Sequence, residues 1–61
     1  MMYSIYNNIT GEAVMGTNAR ALFQTARLVA RIDNWPLPVC VMRDGQPIAA
    51  YTADGWKWWD Q

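Results

Sequence analysis

Leu37-Pro38-Val39-Cys40-Val41-Met42-Arg43-Asp44-Gly45-Gln46-Pro47-Ile48-Ala49-Ala50-Tyr51-Thr52 decides the fold, because it joins two strand-like runs through a two-residue turn. Asp44-Gly45 suits a tight hairpin: both central residues of such a turn need positive φ, which glycine adopts freely and aspartate tolerates. Before the turn, residues 37–42 alternate Val39 and Val41 with Cys40 and Met42, the period of two that marks a strand with one buried face. After it, residues 47–52 run back. Ala53-Asp54-Gly55 turns the chain again, and Trp56-Lys57-Trp58-Trp59 makes a last strand. The C-terminal half therefore reads as an antiparallel meander.

Upstream of the meander lies one helix. Residues 19–32 contain good helix formers and no glycine or proline; Gly16-Thr17-Asn18 supplies a break and an N-cap, and Asn34-Trp35-Pro36 ends the segment. At about 100° per residue, Ala19, Leu22, Phe23, Ala26, Val29 and Ala30 share one face, a stripe suited to lying on a sheet. Further upstream, residues 2–7 are rich in β formers, Asn7-Asn8-Ile9-Thr10-Gly11 is a turn cluster, and residues 12–15 return as a weaker strand. Alternation sends Tyr3 and Ile5 to one face and Ser4 and Tyr6 to the other. The order is ββαβββ. The expected fold is one α+β domain over residues 1–61, two layers deep, with a four- to five-stranded antiparallel sheet and one helix across one face.

At 61 residues the chain is near the lower size at which one core suffices, so each large apolar residue matters. Formal charge is zero, which argues against a dedicated nucleic-acid binder and against an acidic DNA mimic. No run is apolar and long enough to span a membrane, and the Met1-Met2-Tyr3 start resembles a cytosolic protein without a signal peptide. Cys40 is the only cysteine and there is no histidine, so an intrachain disulfide and the usual zinc and histidine-base arrangements are absent. Cys40 reads as a small core or sheet residue. Among the carboxylates, Asp44 and Asp54 precede glycines as turn formers, Asp33 and Asp60 sit at element ends, and Glu12 opens a strand. No phosphate-cradling glycine loop is present. The expectation is a non-enzyme without catalytic residues, metal or cofactor.

Two groups of residues go beyond what a core requires. Arg20, Gln24, Arg27 and Arg31 fall within about 60° of one another beside the apolar stripe, and no carboxylate stands three or four positions from any of the arginines within the helix. This ridge reads either as a solvated face or as a grip for phosphates or an acidic protein surface. Ala21, Leu28 and Ile32 lie nearly opposite the stripe, so a two-layer fold exposes them unless the helix rolls to bury Leu28. The second group is aromatic. Along the last strand Trp56 and Trp58 point one way and Lys57 and Trp59 the other, so one set is left on the open side of the sheet, near Tyr6 or Tyr51. That side is a candidate surface for a protein or for stacked bases. The expected partner-binding residues are Arg20, Gln24, Arg27, Leu28, Arg31, Tyr6, Tyr51, Trp56, Trp58 and Trp59.

The C-terminal pattern Ala50-Tyr51-x-x-Asp54-Gly55-x-x-Trp58-x-Asp60 resembles a family of small phage-encoded anti-CRISPR proteins that inhibit the type I-F surveillance complex. Ala26-Arg27-Leu28-Val29-Ala30-Arg31 and Val41-Met42-Arg43 are similar in order and spacing, so the likeness covers roughly the C-terminal two-thirds of the chain. The chain differs from that pattern in its few lysines, its shortened connection before Ile48, and its additional Trp56 and Trp59. The resemblance implies a five-stranded sheet with one helix, made by a phage and acting in the host cytoplasm. It implies binding to protein subunits of the crRNA-guided complex and blockage of target-DNA hybridisation, with Arg27 and Arg31 at the basic helix surface and Tyr51 and Trp58 available for core packing. It also implies DNA association through that surface. Two other functions remain open: a small nucleic-acid-binding or regulatory protein using Arg20, Arg27 and Arg31, and a homodimer or larger homo-oligomer joined through Leu28, Ile32 and the tryptophans.

Overall fold

In the computed structural model, which describes residues 1–59, Asp44 and Gly45 take φ values of 50° and 83°, the paired positive values of a type I′ turn. Asp44 also holds the start of the chain. Its carboxylate Oδ1 accepts from the Met2 N–H, and its own N–H donates to the Met2 carbonyl, both at 2.8 Å. The elements are β1 (Tyr3–Tyr6), β2 (Ala13–Gly16), α1 (Ala19–Arg31), β3 (Val39–Arg43), β4 (Gln46–Thr52) and β5 (Gly55–Trp58). They form one five-stranded sheet in the order β2-β1-β3-β4-β5, every neighbouring pair antiparallel. The α+β fold with one helix on a single antiparallel sheet is therefore as the pattern predicts. Asp60, expected at an element end and as the last residue of the C-terminal motif, lies outside the described residues.

Element boundaries move for identifiable reasons. β3 starts at Val39 and not at 37, because Pro36 and Pro38 have no N–H to contribute to a ladder. β1 stops at Tyr6 because Asn7 organises the loop. Its side-chain Oδ1 accepts from the N–H groups of Ile9 and Thr10 at 2.9 and 3.1 Å, and its own N–H donates to the Glu12 carbonyl at 2.8 Å. Gly16, expected as a break, belongs to β2 and pairs with Tyr3. β5 runs from Gly55, which pairs with Thr52, to Trp58; Trp59 lies past its end and donates its N–H to the Ile48 carbonyl at 3.1 Å. The helix begins as expected, with Asn18 accepting from the Ala21 N–H at 3.1 Å, and Ile32 is its C-cap and not its last residue.

The helix connects β2 to β3, which run parallel on either side of β1, so it lies across those three strands. Its Leu22, Ala26 and Val29 meet Ile5, Val39 and Val41 in the core, as the helical stripe predicts. Trp35 joins them, only 8 % exposed, although the sequence gives it no role beyond ending the helix. The route is visible at the helix end. The N–H groups of Asp33 and Trp35 both reach the Val29 carbonyl at 3.1 Å, and Asn34 at φ 55° reverses the chain between them, returning the indole beneath the helix.

Two local features set how closely the layers meet. In β4, Val41 pairs with Ala49 and Met42 with Pro47, so Ile48 is an extra residue in a bulge; it packs against the core, and the bulge tolerates the proline beside it. In β2, a Cβ at Gly16 would stand 2.9 Å from Leu22 Cδ2. Since Leu22 is buried, it has little room to give. Gly16→Ala is expected to cost about 1–2 kcal/mol, measured as a lower urea midpoint with an unchanged slope. An unchanged midpoint would show that the helix has freedom to lift off β2.

Candidate binding surface

The four polar residues of the helical ridge, Arg20, Gln24, Arg27 and Arg31, are all exposed. The ridge therefore sits where the helical spacing puts it. Beyond it Leu28 is 53 % and Ile32 71 % exposed, so the helix does not roll to bury Leu28. Gln24, Arg27, Leu28, Arg31 and Ile32 line a shallow open groove of about 480 Å³. Apolar side chains beside guanidinium groups are a common composition for a protein interface.

The aromatic residues are arranged differently from expectation. Tyr51, Trp56 and Trp58 are on the helix side of the sheet, not on its open side, because the register continues the face of Ile5, Val41 and Ala49 across β4 and β5. Phe23 holds them there: its ring centroid is 5.2 Å from both Trp56 and Trp58, and Tyr51 lies 5.2 Å from Trp56. Tyr51 and Trp56 are half-buried, whereas Trp58 remains 64 % exposed. The cause is the topology. The helix serves the β2-to-β3 crossover and covers that half of the sheet, and Phe23, at the edge of the apolar stripe, reaches toward β5. Tyr6 is exposed on the opposite face, and Trp59, also exposed, follows the end of β5.

This places the ridge and the aromatics side by side. Arg20 and Arg27 stand three residues before and four after Phe23, on the flank of the helix that overlooks β4 and β5. The sequence treats the ridge and the tryptophans as two separate surfaces; the fold sets both on the helix side of the sheet, with Phe23, which packs on Trp56 and Trp58, one helical turn from Arg20 and from Arg27. Of the expected site residues, Arg20, Gln24, Arg27, Leu28, Arg31, Tyr51, Trp56 and Trp58 share the helix side, and Tyr6 does not belong with them. The missing signal is strand pairing: Tyr51 opposite Trp56 and Ala49 opposite Trp58 follow from the three-residue Ala53-Asp54-Gly55 connection only once Gly55 is counted into β5. Phe23→Ala removes that packing and is expected to cost about 3 kcal/mol in unfolding and to shift tryptophan emission to the red. Native-like melting would place the Trp56–Trp58 pair on some other support.

Among the described residues the carboxylates form no comparable constellation. Asp44 holds Met2 and the hairpin turn, while Glu12 and Asp33 line a separate polar recess with Asn7, Thr10 and Asn34. Glu12 accepts there from the Thr10 hydroxyl at 3.2 Å. Among the described residues no group of three or more histidine, cysteine or acidic side chains could hold a metal, and no helix is long and apolar enough to cross a membrane. No protein family, curated protein or solved structure matches the chain.

Proposed function

We propose that this chain is a non-enzymatic inhibitor that binds a bacterial CRISPR-Cas surveillance complex and blocks its engagement of target DNA. The observation that carries the reading is that the exposed Arg20, Arg27 and Arg31, the pair of Phe23 with the exposed Trp58, and the exposed Leu28 and Ile32 all lie on the helix side of the sheet. Arginine and tryptophan are the side chains that most often dominate binding energy at protein interfaces. The target class comes from the resemblance of the C-terminal and helix segments to type I-F anti-CRISPR proteins, and places the activity in a host cytoplasm. Inhibition of this kind needs only buried area and matching charge; it needs no reaction. The test is binding of the tagged chain to purified type I-F surveillance complex, followed by target-DNA binding with and without the chain. Binding with loss of DNA engagement supports the reading, and absence of binding overturns it.

The same surface supports a second reading, direct binding of single-stranded nucleic acid, because an exposed tryptophan beside arginines is the arrangement on which bases stack and phosphates pair. That reading requires affinity for an oligonucleotide in the absence of any protein partner, falling steeply as salt rises.

A further inference from the structure

Among the described residues no helix or strand covers the sheet face turned away from the helix. It is built from the residues that alternate with the core. Met15, Ser4, Met42 and Pro47 stand opposite one another across β2, β1, β3 and β4, and Cys40, Ala50 and Lys57 do so across β3, β4 and β5. Tyr6, paired with Ala13, completes it. Met15 is 60 % exposed and Tyr6 43 %, while the small side chains of Ser4 and Ala50 are buried among their neighbours. Lys57 is the one charged residue on these paired positions, and it sits on the edge strand β5.

From this we infer that the open sheet face is a self-association surface, occupied by the same face of a second copy of this chain. Charge argues for a copy. A two-fold contact places each patch against itself, so a patch with a net charge repels its own image, as the arginine ridge would. Among the described residues the paired positions of the open face carry only Lys57, and that at its rim, so the face meets its image without like charges at the centre. Side-chain chemistry argues the same way: Met15 and Met42 stand on either side of Ser4, and methionine adapts readily to the shape of a facing copy. Size is sufficient. Five strands about 4.8 Å apart make a face that, with side-chain relief, offers roughly 600 Å² per copy, so a pair buries about 1,200 Å², the lower end of specific interfaces.

The core gives the association a stabilising role. Ile5, Val39 and Val41 are the largest fully buried side chains, a thin core for an independent domain, and small domains commonly add stability by oligomerising. Two sheets packed face to face about 10 Å apart would give four layers with the helices outermost. Both arginine ridges would then remain free on opposite sides, making the dimer bivalent for whatever the ridge binds.

Sedimentation of the untagged chain from about 1 µM to about 500 µM tests this, with Tyr6→Glu, Met15→Glu and Leu28→Glu as variants. A monomer–dimer equilibrium is expected for the native chain. Tyr6→Glu and Met15→Glu should each weaken it at least about thirtyfold, with circular dichroism unchanged, and Leu28→Glu on the helix should leave it intact. A native chain that stays monomeric over the whole range overturns the inference whatever the variants do. So does a dimer that survives both sheet substitutions and dissociates with Leu28→Glu.

Discussion

Trp35→Ala is expected to lose about 4 kcal/mol of stability, the largest effect of any single substitution in this chain. A domain of 61 residues has a total stability of only about 3–9 kcal/mol, so the variant should be substantially unfolded at 37 °C. The indole is 8 % exposed and packs in the cluster formed by Ile5, Leu22, Ala26, Val29, Val39 and Val41, so its removal leaves a cavity beneath the helix. The reversal that delivers it depends on Asn34 at φ 55° and on two N–H groups sharing the Val29 carbonyl, so nearby backbone has little freedom to refill the space. Trp58→Ala is the matched control. That side chain is 64 % exposed, and its loss should cost about 1 kcal/mol or less. Urea unfolding of both variants decides the matter: equal midpoints would mean that Trp35 contributes no more to the core than a surface ring.

That comparison also marks where the sequence is informative and where it is not. Periodicity identifies Leu22, Ala26 and Val29, and alternation groups Ile5 with Tyr3 and Val39 with Val41 without choosing the buried face, because these residues lie inside regular elements whose repeat fixes the relative direction of each side chain. Trp35 lies in a connection without a repeat. Its burial follows from one left-handed residue, and asparagine before tryptophan and proline gives no direct sign of the direction in which the chain will turn. The turns behave similarly. Asp44-Gly45 is legible because two residues admit few hairpin geometries, whereas the bulge at Ile48 follows from pairing with β3, a long-range fact. The surface was legible in composition and not in assembly. Helical spacing gives the ridge, and the strand pattern leaves two choices for the tryptophans. Which choice holds depends on how β5 pairs with β4 and on which half of the sheet the helix covers.

Replacing Arg27 and Arg31 together by glutamate should weaken partner binding about 100-fold or more, roughly 2.7 kcal/mol, while leaving the fold in place. Both side chains are exposed on the groove that also includes Gln24, Leu28 and Ile32, so the substitution reverses the field at the contact and removes no buried area. Its cost to folding is small and has a definite origin. Arg31 is the basic residue of the last helical turn, where a positive charge complements the helix dipole, and a glutamate there should lower stability by about 0.3–1 kcal/mol. Circular dichroism should therefore show a native spectrum with a melting temperature a few degrees lower. Affinity for the type I-F surveillance complex, measured on the same samples, carries the decision. Trp58→Ala should weaken binding in the same direction, because its ring packs on Phe23 on the helix side of the sheet, and Tyr6→Ala should not, because Tyr6 is on the other face. If the double variant folds and binds like the parent, the ridge is a solvated helix face. Loss of binding on Tyr6→Ala alone would instead move the partner site to the open sheet face, where it would compete with a second copy of the chain.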